Sequence, residues 1–263
     1  MARSTASGKP LHVGSVSFLN AKPLIYGLES DRAVKLSLDV PSRLLDGLLG
    51  ERYDVALLPV IDFQRMPGLR LVPSGGIGCD GPTLTVRIFS PVPLERIATL
   101  ACDTDSHTSV ALARVVLARL YNVRPRFVDL AAGAVKSETA LLLIGDKVVC
   151  EEPKGLPHQL DLGDAWKRLT GLPFVFAAWI ARDGVELHDL PERLELAKRD
   201  GLAHLDEIIR RYAVPRGWPA DIAHRYLADY LKFDVGAEHV HAIRKFHQFA
   251  FEEGLIDHAP WSI

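Results

Sequence analysis

The sequence has few cysteines and no long hydrophobic run. Its 263 residues include three cysteines, Cys79, Cys102 and Cys150, which are far apart and without CxxC spacing. This pattern argues against a disulfide framework or a structural zinc site and favours a reducing compartment. The N-terminal MARSTASGKP has no apolar stretch typical of a secretory signal, and no window holds the ~20 apolar residues of a membrane span. We therefore expect a soluble, cytoplasmic protein with no membrane partner.

An excess of charge of one sign is also missing. Lys plus Arg total 31 against 33 for Asp plus Glu, a net charge of −2, so no nucleic-acid partner is expected. The motifs GxGxxG, GxxxxGK[ST], HExxH and GxSxG do not occur, and no cofactor or metal is predicted. Ser74 to Gly78 is rich in glycine, but nothing typical of a phosphate site follows it. We interpret this stretch as a loop between strands.

What is present is an ordinary globular composition, with 48% hydrophobic and 24% charged residues, in which strand-like and helix-like segments alternate. Tyr53 to Pro59 is a continuous apolar run, typical of a strand buried on both faces of a parallel sheet. The alternation predicts an α/β fold. The predicted strands are 11–18, 34–40, 53–59, 84–89, 97–102, 126–130, 139–144 and 174–180. The predicted helices are 43–49, 108–120, 191–212, 219–231 and 237–251.

The two series of segments resemble each other weakly, since each runs from a strand through a capped helix to a buried strand. Two such units facing each other would form a ligand cleft. We predict a first lobe of residues 1–88 plus 180–263, which includes the helical C-terminal region, and a second lobe of residues 89–179. Crossover strands are expected near 84–90 and 174–182.

Polar residues lie at several predicted strand-to-helix junctions: Ser17, Asn20, Ser42, Ser106, Thr108 and Ser109. Helix N-termini carry unpaired N–H groups and a positive dipole end, which favour an anion. Each of these residues taken alone is also an ordinary helix cap that needs no ligand. Their convergence on one cleft would favour a site for a carboxylate or a phosphate.

Several segments, in this order, carry a resemblance to a known family. They are 15–24 (SVSFLNAKPL), 50–59 (GERYDVALLP), 103–109 (DTDSHTS), 142–146 (LLIGD), 161–166 (DLGDAW) and 170–179 (TGLPFVFAAW). As an ordered set they resemble the chorismate dehydratase family of the futalosine route to menaquinone. The resemblance covers about residues 11 to 180, and the helical tail agrees in length and type.

The resemblance implies a two-lobe fold like the type II periplasmic solute-binding proteins, used as an enzyme without a cofactor. It implies that the substrate is chorismate, a dicarboxylate, and that the product is 3-[(1-carboxyvinyl)oxy]benzoate. By the family pattern Asn20 and Thr85 are the catalytic residues, and Thr85 stands where the family usually has serine. We expect the substrate to be bound by Ser17, Ser42, Ser106, His107, Thr108, Ser109, Gly145 and Asp146.

The residue that removes the proton is left open between His107 and a carboxylate of the substrate itself. Phe176 or Trp179 would line the cleft or belong to the core. Two other functions stay open. A non-catalytic small-anion solute-binding or sensing protein would need the same cleft, and the dihydroxynaphthoate synthase of the same pathway is a relative of the dehydratase.

Overall fold

The computed structural model describes residues 9–103, 106–130, 139–151 and 153–258. The strands are β1 (Leu11–Ser15), β2 (Val34–Leu38), β3 (Val55–Pro59), β4 (Leu69–Cys79), β5 (Val86–Ser90), β6 (Thr99–Cys102), β7 (Arg126–Asp129), β8 (Ala140–Ile144), β9 (His158–Asp161), β10 (Phe174–Arg182) and β11 (Leu231–Lys232). The α-helices are α1 (Pro41–Leu49), α2 (Val60–Arg65), α3 (His107–Leu120), α4 (Asp146–Cys150), α5 (Leu162–Thr170), α6 (Leu190–Ala203), α7 (Leu205–Ile208), α8 (Ala220–Arg225) and α9 (Ala237–Glu252). Short 3₁₀ turns follow β1, and π-helical segments span Ile209–Ala213 and Tyr226–Tyr230.

The strands form two separate sheets. Sheet one has six strands in the order β11-β4-β10-β3-β1-β2, and sheet two has five in the order β7-β6-β8-β5-β9. In sheet one, β1, β2 and β3 are parallel, whereas β10 runs antiparallel to both β3 and β4. In sheet two, β6, β7 and β8 are parallel, and β5 is antiparallel to β8 and β9. The parallel strands therefore belong to the strand–helix–strand units that the sequence predicts.

The central strands are the most buried. Every residue of β3 is buried, as expected for the continuous apolar run that ends at Pro59. The edge strand β2 keeps its last residue, Leu38, 48% exposed. In sheet one the apolar pattern of these strands thus agrees with their place in the sheet.

Sheet membership fixes where the chain passes between the two halves. Strand β5 pairs only with strands of sheet two, and β10 pairs only with strands of sheet one. The chain therefore crosses in the segments 80–85 and 162–173, a few residues before the predicted boundaries after 88 and 179. We retain the two-lobe division as a proposal, with these segments as its boundaries.

The glycine-rich stretch at 74–78 is part of β4 and not a loop, so that interpretation is wrong. A Cβ on Gly76 would lie 2.6 Å from the Ala177 carbonyl oxygen, and one on Gly78 would lie 2.6 Å from the Phe174 carbonyl oxygen. The glycines allow β4 to pack closely against β10, which is the structural reason for them.

The helical tail is more interrupted than its periodicity predicts. The predicted helix over 191–212 divides into α6, α7 and a π-helical segment, and the predicted helix over 219–231 passes from α8 into a second π-helical segment. π-Helical segments are rare and frequently occur at functional sites. None of the helices in the described ranges combines the length and the hydropathy needed to span a bilayer.

One hydrophobic core runs through both halves. Trp166 of α5 contacts Phe174 of β10 and Phe246 of α9, with ring centroids 5.3 and 6.0 Å apart in edge-to-face geometry. The Trp166 indole N–H donates to the Pro173 carbonyl. These aromatic contacts connect α5 and α9 to β10 of sheet one.

Candidate active site

A cavity of about 180 Å³ lies between the two sheets, and a smaller one of about 80 Å³ adjoins it. The described residues that line the larger cavity come from both halves: Phe18, Leu19, Asn20, Ile77, Thr83, Thr85, Val86, Asp103, Ser106, Ser109, Ile144, Gly145, Asp146, Lys147, Phe176, Trp218, Tyr226 and Leu231. The smaller cavity shares Asn20, Ser106 and Phe176 with it and is otherwise mainly apolar. The site is therefore one space with a polar part and an apolar part, typical of a small-molecule pocket.

Asn20 and Thr85 meet at one side chain in this cavity. The Thr85 Oγ1–H donates to the phenol oxygen of Tyr226 at 3.1 Å. The Asn20 amide also bonds to this phenol, and the Asn20 Oδ1 atom is buried without a hydrogen-bond partner. Burial raises the pKa of Tyr226 to about 12, and the hydrogen bonds from Thr85 and Asn20 oppose that shift. The structure thus brings together the two residues predicted to be catalytic.

The turn that presents Thr85 is held by one carboxylate. Asp161 accepts the backbone N–H groups of Thr83 and Leu84 at 2.9 to 3.0 Å, while it also caps α5. Leu84 has a φ of 69°, a left-handed conformation that a leucine rarely adopts without such support. Burial raises the pKa of the Asp161 carboxyl, and the backbone N–H donors oppose this shift. Asp161 therefore fixes the direction of the Thr85 side chain.

The N-terminus of α3 opens into the cavity. Ser106 is its N-cap and accepts the Ser109 N–H at 3.3 Å, while the two hydroxyl oxygens lie 2.9 Å apart. Ser106 and Ser109 are three residues apart, which places them on one face of the helix. This arrangement provides hydroxyl groups and a positive dipole end for an anion.

His107 and Thr108 lie on another face of the same helix and do not line the cavity. The His107 Nδ1 atom lies 2.9 Å from the Asp62 carboxylate, and the Thr108 hydroxyl oxygen accepts the Ile61 N–H at 3.4 Å. Both residues therefore connect α3, which follows a strand of sheet two, to α2, which follows a strand of sheet one. Their placement does not support the prediction that they contact substrate.

Gly145 and Asp146 line the cavity, as the sequence predicted for the end of β8. The Gly145 N–H donates to the Thr85 carbonyl at 2.9 Å, which fastens the end of β8 to the Thr85 turn. The Asp146 carboxylate accepts the indole N–H of Trp218 at 2.7 Å. Nearby, the Lys147 ammonium lies 2.7 Å from the buried carboxylate of Asp103. Both carboxylates among the described lining residues are thus paired with donors.

The other predicted residues have mixed positions. Ser17 is exposed outside the cavity lining, and its carbonyl accepts a hydrogen bond from Arg216. Ser42 follows Pro41 in α1, and its side chain lies outside the described part of the structure. Phe176 lines both cavities, whereas Trp179 is fully buried in the core.

Sequence reasoning missed the residues that the C-terminal helices bring to the site. Tyr226 and Trp218 reach the cavity from the tail, and their rings lie 5.2 Å apart. Neither is part of a motif, and the family resemblance of the sequence segments ends near residue 180. Within the described ranges, no cluster of three or more His, Cys, Asp or Glu could hold a metal ion.

Comparisons with known proteins agree with this picture. Residues 11–252 match a protein family described as menaquinone biosynthesis. The chorismate dehydratase of Thermus thermophilus is 28% identical over 220 residues, which cover 76% of this chain and 80% of that protein. The chorismate dehydratase of Campylobacter jejuni is 29% identical over 168 residues, which cover 64% of this chain and 60% of that protein.

Solved structures show the same fold at low sequence identity. A protein from Archaeoglobus fulgidus superposes with a TM-score of 0.73 at 17% identity, covering 94% of this chain and 98% of its own. The alkanesulfonate-binding protein of Xanthomonas axonopodis, bound to MOPS, gives a TM-score of 0.69 at 14% identity, with 96% of both chains covered. The predicted fold of the periplasmic-binding-protein type is confirmed.

Proposed function

Because this chain belongs to the menaquinone biosynthesis family, we propose that it is a chorismate dehydratase, a hydro-lyase that eliminates water from chorismate. The proposed product is 3-[(1-carboxyvinyl)oxy]benzoate, formed in the cytoplasm on the futalosine route. The observation that carries the proposal is the meeting of Asn20 and Thr85 at one buried phenol, in a chain whose curated relatives are named chorismate dehydratases.

One end of the cavity provides hydrogen-bond donors for a carboxylate group of the substrate. Ser106, Ser109 and the N-terminus of α3 offer donors to a carboxylate. Asp103, three residues before Ser106, has a carboxylate that is neutralised by Lys147. We therefore place the ring carboxylate of chorismate at α3 and its hydroxyl group toward Asn20 and Tyr226.

The reaction needs orientation more than a strong catalyst. The C3–H of chorismate is acidified through the C1=C2 bond to the ring carboxylate, and loss of the C4 hydroxyl gives an aromatic ring. Donors at the ring carboxylate stabilise the enediolate-like charge that develops as the proton leaves. A cavity that fixes this geometry supplies most of what the elimination requires.

We assign proton removal to the enolpyruvyl carboxylate of the substrate, which lies close to C3. His107, the other candidate, contacts Asp62 and lies outside the described lining of the cavity. His107→Ala is therefore expected to retain most of the turnover. An inactive but correctly folded His107→Ala protein would make His107 the base instead.

The second candidate function is non-catalytic binding of a small anion. It is favoured by the fold likeness to an alkanesulfonate-binding protein. An experiment that records binding and conversion together separates the two. Purified protein is titrated with chorismate in a calorimeter, and the contents are then analysed by liquid chromatography. The proposal predicts more aromatic product than protein, whereas stoichiometric binding with unchanged chorismate would support the solute-binding function.

A further inference from the structure

Tyr226 occupies a position in the site that no sequence motif indicates. It is the first residue of the π-helical segment Tyr226–Tyr230, which continues directly from α8. Its side chain is 3% exposed, and the ring lies beside Trp218 and lines the cavity. Packing therefore holds the ring of Tyr226 in place, and the phenol oxygen is the part that faces the cavity.

The hydrogen bonds around the phenol leave its own proton unused. An amide nitrogen can only donate, and the Asn20 Oδ1 atom has no partner, so the Asn20 amide donates to the phenol oxygen. Thr85 donates to the same oxygen. Two donors occupy both lone pairs of the Tyr226 oxygen, and its O–H is left to donate to a group in the cavity.

The site therefore offers two complementary groups side by side: the Tyr226 O–H as a donor and the Asn20 Oδ1 atom as an acceptor. A hydroxyl group both donates and accepts, so it satisfies both at once. A buried acceptor without a partner is destabilising, and a ligand hydroxyl would relieve this cost. Of the groups on chorismate, only the C4 hydroxyl has this chemistry, since the carboxylates only accept.

We propose that Tyr226 is the general acid of the elimination and donates its phenol proton to the departing C4 hydroxyl. This inference rests on the proposed function. As the C3–H electron pair forms the new ring double bond, the C4–O bond breaks, and its electron pair leaves with oxygen. That oxygen takes the Tyr226 proton and departs as water. The tyrosinate is reprotonated by the proton removed from C3, so the cycle consumes nothing further.

The protonation state of Tyr226 is compatible with this role. With its pKa raised to about 12 by burial, the phenol stays protonated at neutral pH. Water, the conjugate acid of the departing hydroxide, is a much weaker acid than this phenol, so the proton transfer is downhill. The donors from Asn20 and Thr85 stabilise the transient tyrosinate.

The test compares Tyr226→Phe with Tyr230→Phe, which removes a phenol hydroxyl from the same π-helical segment at a surface position bonded to Arg225. We expect Tyr226→Phe to lower kcat by about 10²-fold or more, within the range of general acid catalysis, and Tyr230→Phe to leave it unchanged. Because the product lacks the hydroxyl, its dissociation constant should change little in both variants.

A second substrate separates acid catalysis from a structural role. An analogue with fluorine in place of the C4 hydroxyl needs no proton to lose its leaving group. The loss of turnover in Tyr226→Phe should therefore be much smaller with this analogue than with chorismate. If Tyr226→Phe does not fold, Tyr226→Phe combined with Thr85→Val removes the unsatisfied hydroxyl donor, and this double variant is compared with Thr85→Val alone on both substrates.

The outcomes separate the role of Tyr226 from the proposed function. Normal turnover of chorismate by Tyr226→Phe, or an equal loss with both substrates, would overturn the role of Tyr226 and leave the proposed function intact. No dehydration of chorismate by the wild-type protein would overturn both.

Discussion

Thr83 and Thr85 are two residues apart, and their hydroxyl groups have different partners. The Thr83 Oγ1 atom accepts the Val86 N–H at 3.0 Å and contacts the Asp161 carboxylate, so it holds the turn. The Thr85 hydroxyl points away from the turn and donates a hydrogen bond to Tyr226. One threonine therefore supports the structure of the site, and the other belongs to its chemistry.

This difference predicts that the same substitution lowers activity at one position and stability at the other. Thr85→Val keeps the shape of the side chain and should lower kcat/KM about 10- to 100-fold with a small change in stability, because one aligned hydrogen bond is lost. Thr83→Val should mainly lower the free energy of unfolding, by about 1–3 kcal/mol, because the buried Val86 N–H loses its acceptor. Steady-state kinetics and urea denaturation of both proteins measure the two effects. Equal kinetic losses in the two variants would contradict this division.

For individual residues, the sequence predicted part of the site. Asn20 and Thr85 could be found because they lie in segments that resemble a family. Ser106 and Ser109 could be found because helix caps follow strands. Tyr226 could not be predicted, because it reaches the cavity only through the packing of the C-terminal helices against both sheets.

Among the elements, the pairing of β4 with β10 depends on the absence of side chains. Gly76 and Gly78 face the backbone of β10 so closely that a Cβ would overlap carbonyl oxygens. Composition alone cannot distinguish a glycine-rich loop from a glycine-rich strand, since both lack side chains. Whether a glycine-rich segment is a strand depends on the neighbouring strand, here β10, and the register of that strand is set by the whole sheet.

Gly76→Ala is therefore expected to destabilise the protein by about 1–3 kcal/mol or more, because a carbonyl in a central strand cannot move away. The matched control is Gly236→Ala, where a Cβ would have no neighbour within 4 Å and φ is −97°. Urea denaturation of the two variants provides the comparison. A Gly76→Ala protein as stable as the control would show that β4 and β10 are not packed as described.

Across the whole molecule, α2 contacts both α9 and α3. The His247 Nε2–H of α9 donates to the Val60 carbonyl at 2.8 Å, and the next residues of α2 contact His107 and Thr108 of α3. His247 is fully buried, and burial lowers its pKa from 6.5 to about 4. The folded protein thus keeps this histidine neutral where the unfolded chain takes up a proton.

The sign of the resulting pH dependence follows from this difference. The contribution of neutral, buried His247 to the free energy of unfolding is complete above pH 6.5. It is lost as the pH falls toward 4, where the folded histidine is also protonated. The loss is on the order of 3 kcal/mol. His247→Gln keeps an N–H donor for Val60 but does not titrate. The difference in free energy of unfolding between wild type and His247→Gln should shrink over this range, and a constant difference would contradict a neutral buried His247.

The two-sheet architecture was predictable from the alternation of strands and helices, and the family resemblance added the cleft. The boundaries were harder to place, because β5 and β10 are mainly apolar and could belong to either sheet. The hydrogen-bond register decides this, and a one-dimensional pattern does not contain it.

The most direct measurement of the central claim is a proton NMR time course of chorismate with a catalytic amount of the purified protein. Dehydration predicts that the C3 and C4 ring protons disappear together and that a meta-substituted aromatic ring grows in, with the vinyl protons of the enolpyruvyl group retained. The same sample without protein controls for spontaneous decay of chorismate. If the chorismate spectrum changes no faster with the protein than without it, the protein is not a chorismate dehydratase.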